Sequence, residues 1–282
     1  MQFNKENATL YIPDGKPEKE ALSRTTVMGV GAHQDDLEIM SYQGILSCFG
    51  REDAWYFGVV VTNGAGSPRN GLYEACSDED MQNIRRREQM KAAHVGEYGA
   101  MAMLDYTSSE VKDGKNNSVI QELQGLVRQS RPEVIYTHNL ADKHDTHVSV
   151  TLRLISALRG LPAEERPAKV YGCEVWRNLD WMMDNEKIQF DVKGHPNIMA
   201  AVLGVHDSQI IGGKRYDLAT HGRRLANATY AESHGTDTTD QLAIAMDLTP
   251  LIEDPSLDIN AHVQGHIRRF AEDVAAKLSK FA

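Results

Sequence analysis

Residues 26–38 read TVMGVGAHQDDLE and pass abruptly from an apolar run into a cluster of one imidazole and three carboxylates. The apolar run is continuous, which is typical of a strand that is buried on both faces of a parallel sheet. The polar cluster stands where such a strand leads into the next helix. Ligands of open α/β sheets bind at the carboxyl ends of the strands, so this stretch predicts both a buried strand and a chemically active strand end.

Further apolar runs occur along the chain, with helical patterns between them. The predicted strands are 26–32, 55–62, 100–104, 134–137 and 170–176. The predicted helices are 79–97, 119–127 and 148–158. Strands that alternate with helices of this length predict a parallel sheet that is covered by helices on both faces. The expected fold class is therefore α/β, a Rossmann-like three-layer fold with a mostly parallel sheet.

The character of the sequence changes near residue 235, and this sets the predicted boundaries. Residues 25–235 carry the alternating pattern and are predicted to form one domain, after a lead segment over residues 1–24. Residues 236–282 are predicted to be a C-terminal helical extension that ends in an amphipathic helix. The apolar stripe of that helix comprises Val263, Ile267, Phe270, Val274, Leu278 and Phe281. We expect the helix to pack on the body of the protein, with a contact in a homo-oligomer as the alternative.

Composition restricts the classes of partner and compartment. With 40 acidic and 30 basic residues the formal net charge is −10, which argues against binding of a nucleic-acid backbone. The chain has no run of about 18 apolar residues, so no membrane span is expected, and residues 1–20 do not resemble a secretory signal. The 3 cysteines lack CxxC spacing, which argues against a disulfide framework or a cysteine-based zinc site. A reducing cytoplasmic location is expected.

In the first polar cluster, His33 and Asp36 are three residues apart, so a strand-to-helix turn can point both side chains at one centre. Asp35 lies between them and can face the same cavity. Imidazole nitrogen and carboxylate oxygen are common ligands of zinc. A carboxylate that is near the metal but not bound to it suits a general base. The alternative is that Asp35 and Asp36 only cap the following helix.

A second cluster follows the fourth predicted strand. Residues 138–147, HNLADKHDTH, contain three histidines and two aspartates. His144 and His147 are three residues apart, a spacing that brings two rings to one side of a turn. Because both clusters follow predicted parallel strands, their side chains are expected to meet at one edge of the sheet. Together the two clusters predict a shared metal site.

Two other segments carry weaker signals. His206, in VHDSQ (residues 205–209), is followed by a hydroxyl and an amide, which suits polar contacts with a substrate. A loop held by its own hydrogen bonds is the alternative. Arg85 opens RRRE (residues 85–88), which is most simply a solvated charged face of a helix. The same arginines could instead hold a carboxylate or a phosphate.

The two clusters, taken in order, resemble the LmbE-like or PIG-L family of zinc-dependent N-deacetylases. The family motif Ala-His-Pro-Asp-Asp-x-Glu is matched by residues 32–38, AHQDDLE, and the motif Asp-x-His-Pro-Asp-His by residues 142–147, DKHDTH. Supporting matches are Thr62-Asn63-Gly64, Arg85 with Glu88, His206 with Ser208 and Gln209, and Tyr230-Ala231-Glu232. The resemblance extends over about residues 25–235, and the two metal motifs are its specific part.

The resemblance implies a hydrolase that removes the acetyl group from an N-acetylglucosamine-type substrate, an N-acetylated amino sugar. It implies one Zn²⁺ per chain, or another divalent ion, held by His33, Asp36 and His147. The metal would polarise the acetyl carbonyl and lower the pKa of a bound water. Asp35 would be the general base. His144, protonated beside these carboxylates, would stabilise the developing oxyanion.

The resemblance also assigns contacts with the substrate to Arg85, and the polar segment around His206 suits the same role. Two residues depart from the motifs: Gln34 replaces a proline, which is expected to loosen the turn, and Thr146 replaces an aspartate that orients a histidine. Either Asp142 or Asp145 could take over that orienting role.

The sequence is also compatible with two alternative functions. One is an amidase of the same fold that cleaves a larger amide conjugate, and the other is a non-catalytic module that binds a sugar or a nucleotide. Trp176, Trp181 and Tyr73 could stack on a sugar face, although packing within the protein is favoured for all three.

Overall fold

Eight strands form one mixed sheet within residues 2–282, the part of the chain that the computed structural model describes. The strands are β1 (Thr9–Tyr11), β2 (Val27–Gly31), β3 (Tyr56–Thr62), β4 (Ala100–Tyr106), β5 (Val134–His138), β6 (Lys169–Cys173), β7 (Lys187–Asp191) and β8 (Leu242–Asp247). Their order across the sheet is β1-β4-β3-β2-β5-β6-β8-β7. Strands β4, β3, β2, β5 and β6 run parallel to one another, whereas β1, β8 and β7 pair antiparallel.

The five predicted strands are confirmed as these five parallel strands. Strand order reverses between β2 and β5, because the chain proceeds from β2 towards β4 on one side and from β5 towards β6 on the other. A reversal of this kind leaves a crevice at the carboxyl ends of the two strands, where ligands of α/β sheets bind. The first polar cluster follows β2 and the second follows β5, so the topology brings the two clusters together.

Helices cover both faces of the sheet. They are α1 (Glu18–Ser23), α2 (Asp36–Met40), α3 (Tyr42–Cys48), α4 (Asp78–Val95), α5 (Ser108–Lys112), α6 (Ser118–Ser130), α7 (Asp145–Arg159), α8 (Pro196–Gly204), α9 (Asp207–Ile210), α10 (Tyr216–Tyr230), α11 (Pro250–Glu253) and α12 (Ile259–Phe281). Alternate residues of β3 enter different cores: Phe57 and Val59 pack with residues of α6 and α7, whereas Tyr56 and Val60 pack with α2, α3 and α4. The predicted three-layer α/β fold is confirmed. None of the helices described in residues 2–282 has the length and hydropathy required to cross a membrane.

Both predicted flanking segments contribute a strand to the sheet. β1 of the lead segment pairs with β4, and β8 of the C-terminal extension lies between β6 and β7. The sheet therefore continues past the predicted division at residue 235. The extension is not purely helical, since the short β8 obtains its partners from β6 and β7, more than fifty residues earlier in the chain.

The C-terminal helix α12 packs on the body only at its start. Val263 contacts the core, and His266 is buried beside Glu186, with its Nδ1 2.9 Å from Glu186 Oε2. Further along the predicted apolar stripe, Leu278 is 66% and Phe281 79% exposed. The prediction that the whole stripe packs on the body is therefore wrong for its distal half.

Gly29 on β2 tests how closely the sheet approaches its covering helices. A Cβ at this position would overlap the hydroxyl of the fully buried Tyr56, whose oxygen is hydrogen-bonded to Ser41. We expect Gly29→Ala to lower the free energy of unfolding by about 1–3 kcal/mol, because the core has no room for the methyl group. Gly125→Ala on α6 is the matched control: its Cβ would meet nothing within 4 Å, so a gain of about 0.5–1 kcal/mol is expected. Urea denaturation of both variants measures the difference, and equal effects would contradict the packing described.

Candidate metal and catalytic site

Three potential metal ligands converge where β2 and β5 end. His33 follows β2, Asp36 begins α2, and His147 lies in the first turn of α7. His33 Nδ1 is 3.2 Å from His147 Nε2 and 3.3 Å from Asp36 Oδ2, and His147 Nε2 is 3.4 Å from Asp36 Oδ1. The three ligand atoms lie within 4.8 Å of one another, so one ion could contact all three. Two imidazole nitrogens and one carboxylate oxygen form a donor set that suits zinc.

The electrostatics of this cluster favour the metal-binding protonation states of His33 and Asp36. Burial lowers the pKa of His33 to about 4, so its ring is neutral and can offer a lone pair. Burial alone would raise the pKa of Asp36, but His147 and His138 outweigh it and hold the pKa well below its usual range. Burial alone would lower the pKa of His147, but the carboxylates of Asp36 and Asp142 outweigh burial and raise this pKa.

Asp142 holds the second cluster in place. Its Oδ1 lies 3.6 Å from His147 Nδ1 and accepts the backbone N–H of His144 at 2.9 Å, and its Oδ2 accepts the backbone N–H of Trp176 at 3.0 Å. Asp145 is exposed on the first turn of α7. Of the two aspartates that could orient the metal-binding histidine, the geometry therefore favours Asp142.

Asp142→Asn tests this orienting role. An amide keeps the shape of the side chain but removes the charge that favours the Nδ1–H form of His147, so we expect metal affinity to fall by about 10–100-fold. Asp145→Asn makes the same chemical change on an exposed side chain and is expected to leave affinity unchanged. Isothermal titration with Zn²⁺ measures both. Equal affinities of the two variants would remove Asp142 from this role.

The surroundings of His144 favour the neutral ring, whereas the resemblance implied a protonated one. Burial and the neighbouring His147 lower its pKa, so the neutral ring is favoured. Its Nδ1 accepts the backbone N–H of Thr146 at 3.3 Å, which leaves the proton of the neutral ring on Nε2. The ring stacks on His147 at a centroid distance of 4.6 Å. His144 therefore enters the site as a neutral hydrogen-bond donor.

Asp35 occupies a strained backbone position beside the metal ligands. Its φ is 107°, in the left-handed region, and its N–H donates to Gln89 Oε1 at 3.3 Å. Its side chain makes no capping hydrogen bond with α2, and Asp36 Oδ2 accepts the backbone N–H of His33 at 2.6 Å, so the capping alternative is wrong. Burial raises the pKa of Asp35 to about 7, and the guanidinium of Arg85, 3.7 Å from Oδ1, opposes this rise.

Arg85 and Glu88 are buried, so the solvated charged face proposed for them is wrong. The Arg85 guanidinium donates to the carbonyls of Gln34 at 2.7 Å and Gly64 at 3.2 Å. Gly64 has a φ of 75°, and a Cβ there would overlap the Gln34 side chain. Glu88 accepts both the N–H and the hydroxyl of Ser208, at 2.8 and 2.6 Å. Through these hydrogen bonds Arg85 holds α4 close to the loop after β3, and Glu88 holds it close to α9.

His206 does not line the cavity that is formed beside the metal ligands, which argues against the predicted contact with the substrate. The residue is fully buried, and its Nε2 lies 3.2 Å from Glu38 Oε2. Burial alone would lower its pKa, but the hydrogen bond with Glu38 raises it. Glu38 Oε1 also accepts Gln89 Nε2 at 2.8 Å and the Tyr98 hydroxyl at 2.6 Å. His206 therefore belongs to a buried network that supports Gln89 and, through it, the backbone of Asp35.

Two further residues, His138 and Gln34, position the site although no role was predicted for either. His138 Nε2 accepts the backbone N–H of Ala32 at 2.9 Å, and its ring stacks on His147 at 3.8 Å. Gln34 is buried, and its Nε2 donates to the carbonyl of Thr62 at 3.1 Å. The turn that was expected to be loosened by the loss of proline is therefore tied to β3 by this amide. The position of His138 at the end of β5 was the signal that could have identified its role.

The ligands open into a polar cavity of about 310 Å³, referred to here as the catalytic cavity. Its lining includes His33, Asp35, Asp36, His144, His147 and Arg85. Its lining also includes the loop 64–68 after β3 and Trp176, Gln209, Lys214 and Tyr216. Trp176 thus reaches the cavity, whereas Tyr73 points elsewhere and donates to Asp207 Oδ2 at 2.6 Å. A substrate that enters this cavity meets the three ligands and Asp35 together.

Part of the sequence is similar to a known protein family. Residues 28–158 match the sequence profile of the PIG-L family, described as GlcNAc-PI de-N-acetylase. These residues include both polar clusters and Arg85. No curated protein matches the sequence of the chain.

Solved structures share the fold at low sequence identity. A conserved protein from Thermus thermophilus is 16% identical, with a TM-score of 0.62 over 82% of this chain and 98% of its own. The N,N'-diacetylchitobiose deacetylase from Pyrococcus horikoshii is 14% identical, with a TM-score of 0.61 over 88% and 92% of the two chains. The 4-carboxy-2-hydroxymuconate hydratase GalB from Pseudomonas putida is also 14% identical, with a TM-score of 0.60 over 79% and 95%. At these identities the likeness shows the fold alone.

Proposed function

We propose that the protein is a metal-dependent hydrolase that removes the acetyl group from an N-acetylglucosamine-type substrate. The match of residues 28–158 to the PIG-L family profile supports this proposal. The observation that carries the proposal is the convergence of His33, Asp36 and His147 beside Asp35 in one cavity. A metal-binding triad alone would suit many functions. A further carboxylate in the same cavity supplies the proton-transfer group that amide hydrolysis requires.

His33, Asp36 and His147 would hold one Zn²⁺ or another divalent ion, because their donor atoms fit such an ion and lie close together. Binding would displace a proton from His147, whose pKa the neighbouring carboxylates raise. When bound, the ion would polarise the amide carbonyl and lower the pKa of water. Asp142 would keep the His147 ring oriented, through the contact of its Oδ1 with Nδ1.

Asp35 would act as general base and then as general acid. Its carboxylate would take a proton as water oxygen bonds to the acetyl carbon, and it would return that proton to the nitrogen when the C–N bond breaks. The direct products are acetic acid and the free amine, so atoms and charge balance without another reactant, and the acid then ionises to acetate in water. The bond of its backbone N–H with Gln89 and the nearby Arg85 guanidinium would fix its position.

His144 would stabilise the oxyanion by donating its Nε2–H, as a neutral ring rather than as a cation. Arg85 would contact a substrate hydroxyl with the donors that Gln34 and Gly64 leave free. His206 would act only through Glu38 and Gln89.

Metal analysis combined with an acetate-release screen over N-acetylglucosamine derivatives tests the proposal. We expect about one divalent ion per chain, loss of activity on chelation, and stoichiometric release of acetate and amine. Amine release without acetate would indicate the alternative amidase of a larger conjugate. Binding without release of either product would indicate a sugar-binding module or water addition, the reaction named for the Pseudomonas putida neighbour, and would overturn the proposal.

A further inference from the structure

A second cavity of about 500 Å³ lies beside the catalytic cavity and is referred to here as the side chamber. It is enclosed mainly by α10, the end of α2, the segment after β6 and strand β8. Its lining includes Met40, Val175, Tyr216, Thr220, Arg224 and Ile244. This volume is within the range of about 300–1,000 Å³ that is typical of small-molecule sites, and the walls are mostly apolar.

The side chamber and the catalytic cavity share a wall. Ile39, Val175, Trp176, Lys214 and Tyr216 line both. The rings of Trp176 and Tyr216 meet edge to face at a centroid distance of 6.0 Å, and Lys214 Nζ lies 5.0 Å from the centre of the Trp176 ring. A molecule whose amide lies beside Asp35 therefore has the side chamber as its nearest large apolar space.

Arg224 places a buried positive charge on the wall of this chamber. The residue is 4% exposed, and its Nη2 donates to the carbonyls of Glu38 and Ile39, each at 3.0 Å. Its guanidinium also lies 5.0 Å from the centre of the Tyr42 ring. Within residues 2–282, the recorded partners of this guanidinium are these two carbonyls and the Tyr42 ring, and none of them is a carboxylate. Both carbonyl bonds use Nη2, and a guanidinium carries three more N–H donors on Nε and Nη1.

The charge on Arg224 persists at neutral pH. Burial lowers the pKa of Arg224 to about 10, which still leaves the group protonated at pH 7. Carbonyl dipoles and an aromatic face compensate a buried cation only in part, because burial of a charge without an ionic partner is costly. An anion in the side chamber would supply that partner.

The other charged residues on the wall add to this positive potential. Lys214, Arg215 and Arg223 line the side chamber with Arg224, whereas Glu174 is the acidic residue on the described wall. Both carboxylate oxygens of Glu174 are occupied, by the N–H of Leu179 at 2.6 Å and by Asn227 Nδ2 at 2.8 Å. Arg215 pairs with Asp217. The wall is cationic although the whole chain, with 40 acidic and 30 basic residues, is negatively charged. The positive potential of the chamber therefore comes from the residues on its wall and not from the net charge of the protein.

We propose that the side chamber binds an anionic group, a carboxylate or a phosphate, which a compact apolar portion joins to the amine side of the scissile amide. Arg224 pairs with the anion, and Trp176 and Tyr216 contact the connecting portion. The assignment to the amine side rests on the proposed function, because an acetyl group is too small to reach a second cavity. The substrate class is thus an N-acetylated amino sugar with a small acidic aglycone.

Binding to metal-free protein tests the chamber independently of activity. We expect hexanoate and butyl phosphate to bind at least about tenfold more tightly than neutral hexanamide, because charge-assisted hydrogen bonds add to burial of the same chain. Arg224→Met should remove this preference and leave the affinity for hexanamide unchanged, while Arg224→Lys should retain part of it. Isothermal titration at fixed ionic strength provides the affinities. Comparison of the two anions distinguishes a carboxylate site from a phosphate site.

Two further variants keep the test valid if Arg224→Met fails to fold. Ala219→Trp places a bulky ring on an exposed position that lines the chamber, and it should abolish binding of all three probes. Arg87→Met changes an exposed arginine of α4 and should affect none of them. Equal affinity of the wild-type protein for hexanoate and hexanamide, or undiminished hexanoate binding by Ala219→Trp, would overturn the proposal.

Kinetics with the metal-loaded protein then separate this inference from the proposed function. Acetate release from an N-acetylglucosaminide with an acidic aglycone should show a KM at least about tenfold lower than release from its amide analogue, and Arg224→Lys should raise that KM more than it lowers kcat. Probe binding without acetate release from either substrate would contradict the proposed function but preserve the chamber. Acetate release with equal KM for both substrates would contradict the chamber but preserve the function.

Discussion

Replacement of Asp35 by Asn is expected to lower kcat by about 10²–10⁴-fold while the chain still binds its divalent ion. The amide cannot accept a proton from water or return one to the leaving amine. His33, Asp36 and His147 remain unchanged in this variant, so the metal affinity should stay within a few-fold of the wild-type value. Acetate release and metal content, measured on the same preparations, give the two quantities.

Asn is the suitable replacement because the backbone of Asp35 has a φ of 107°. Asn tolerates this left-handed region much better than Ala and other residues with a Cβ. Its amide is also close in size to the carboxylate, and the backbone N–H can still donate to Gln89. A loss of activity in Asp35→Asn therefore reports the missing proton transfer, whereas Asp35→Ala would add backbone strain.

Asp145→Asn is the matched control, because it makes the same chemical change on an exposed side chain of the second cluster. It should retain full activity. Wild-type activity in Asp35→Asn would remove Asp35 from the mechanism. Loss of the metal from that variant would make Asp35 a ligand instead of the general base.

The parts of the fold that the sequence predicts correctly, and the convergence of the three candidate metal ligands, both have local signals in the sequence. A continuous apolar run identifies a buried parallel strand from fewer than ten residues, and all five parallel strands carry such a run. Ligand-type residues directly after those strands then identify His33, Asp36 and His147, because the ends of neighbouring parallel strands lie close in space.

The parts that were missed or wrong depend on partners far along the chain. The short edge strand β1 and the inserted β8 obtain their hydrogen bonds from strands about fifty or more residues away. His206 was predicted to contact the substrate, but its partner Glu38 lies 168 residues earlier. Whether a polar side chain faces a cavity or a buried network depends on tertiary packing, which no local pattern contains.

Glu38→Ala is expected to lower the free energy of unfolding by about 3–5 kcal/mol. Glu38 is 1% exposed, and its carboxylate accepts from Gln89, Tyr98 and His206. Removal of the acceptor leaves three buried donors without their partner, and each unsatisfied group costs free energy. Urea denaturation of the metal-free protein measures the change without a contribution from metal binding.

A double-mutant cycle separates the Glu38–His206 pair from the rest of the network. We expect the double variant with His206→Ala to be more stable than the sum of the single effects, with a coupling energy of about 0.5–3 kcal/mol. The Glu38–His206 contact contributes less to stability than the single variant Glu38→Ala suggests. Part of the free energy lost in that variant is the cost of leaving the buried imidazole of His206 without a partner. Additive single effects would mean that the two side chains do not interact.

Glu38→Ala should also reduce activity, because the side-chain amide of Gln89 connects the buried network to the backbone of Asp35. Gln89 donates to Glu38 and accepts the backbone N–H of Asp35, so loss of Glu38 frees the side chain that fixes the general base. Glu38→Gln retains an acceptor oxygen and most of the volume, and it should recover part of both stability and kcat. A fall in kcat with little change in KM is expected for both variants, since neither removes a group that lines the catalytic cavity. If Glu38→Ala lost stability but kept its full kcat, the network would support the fold without positioning Asp35.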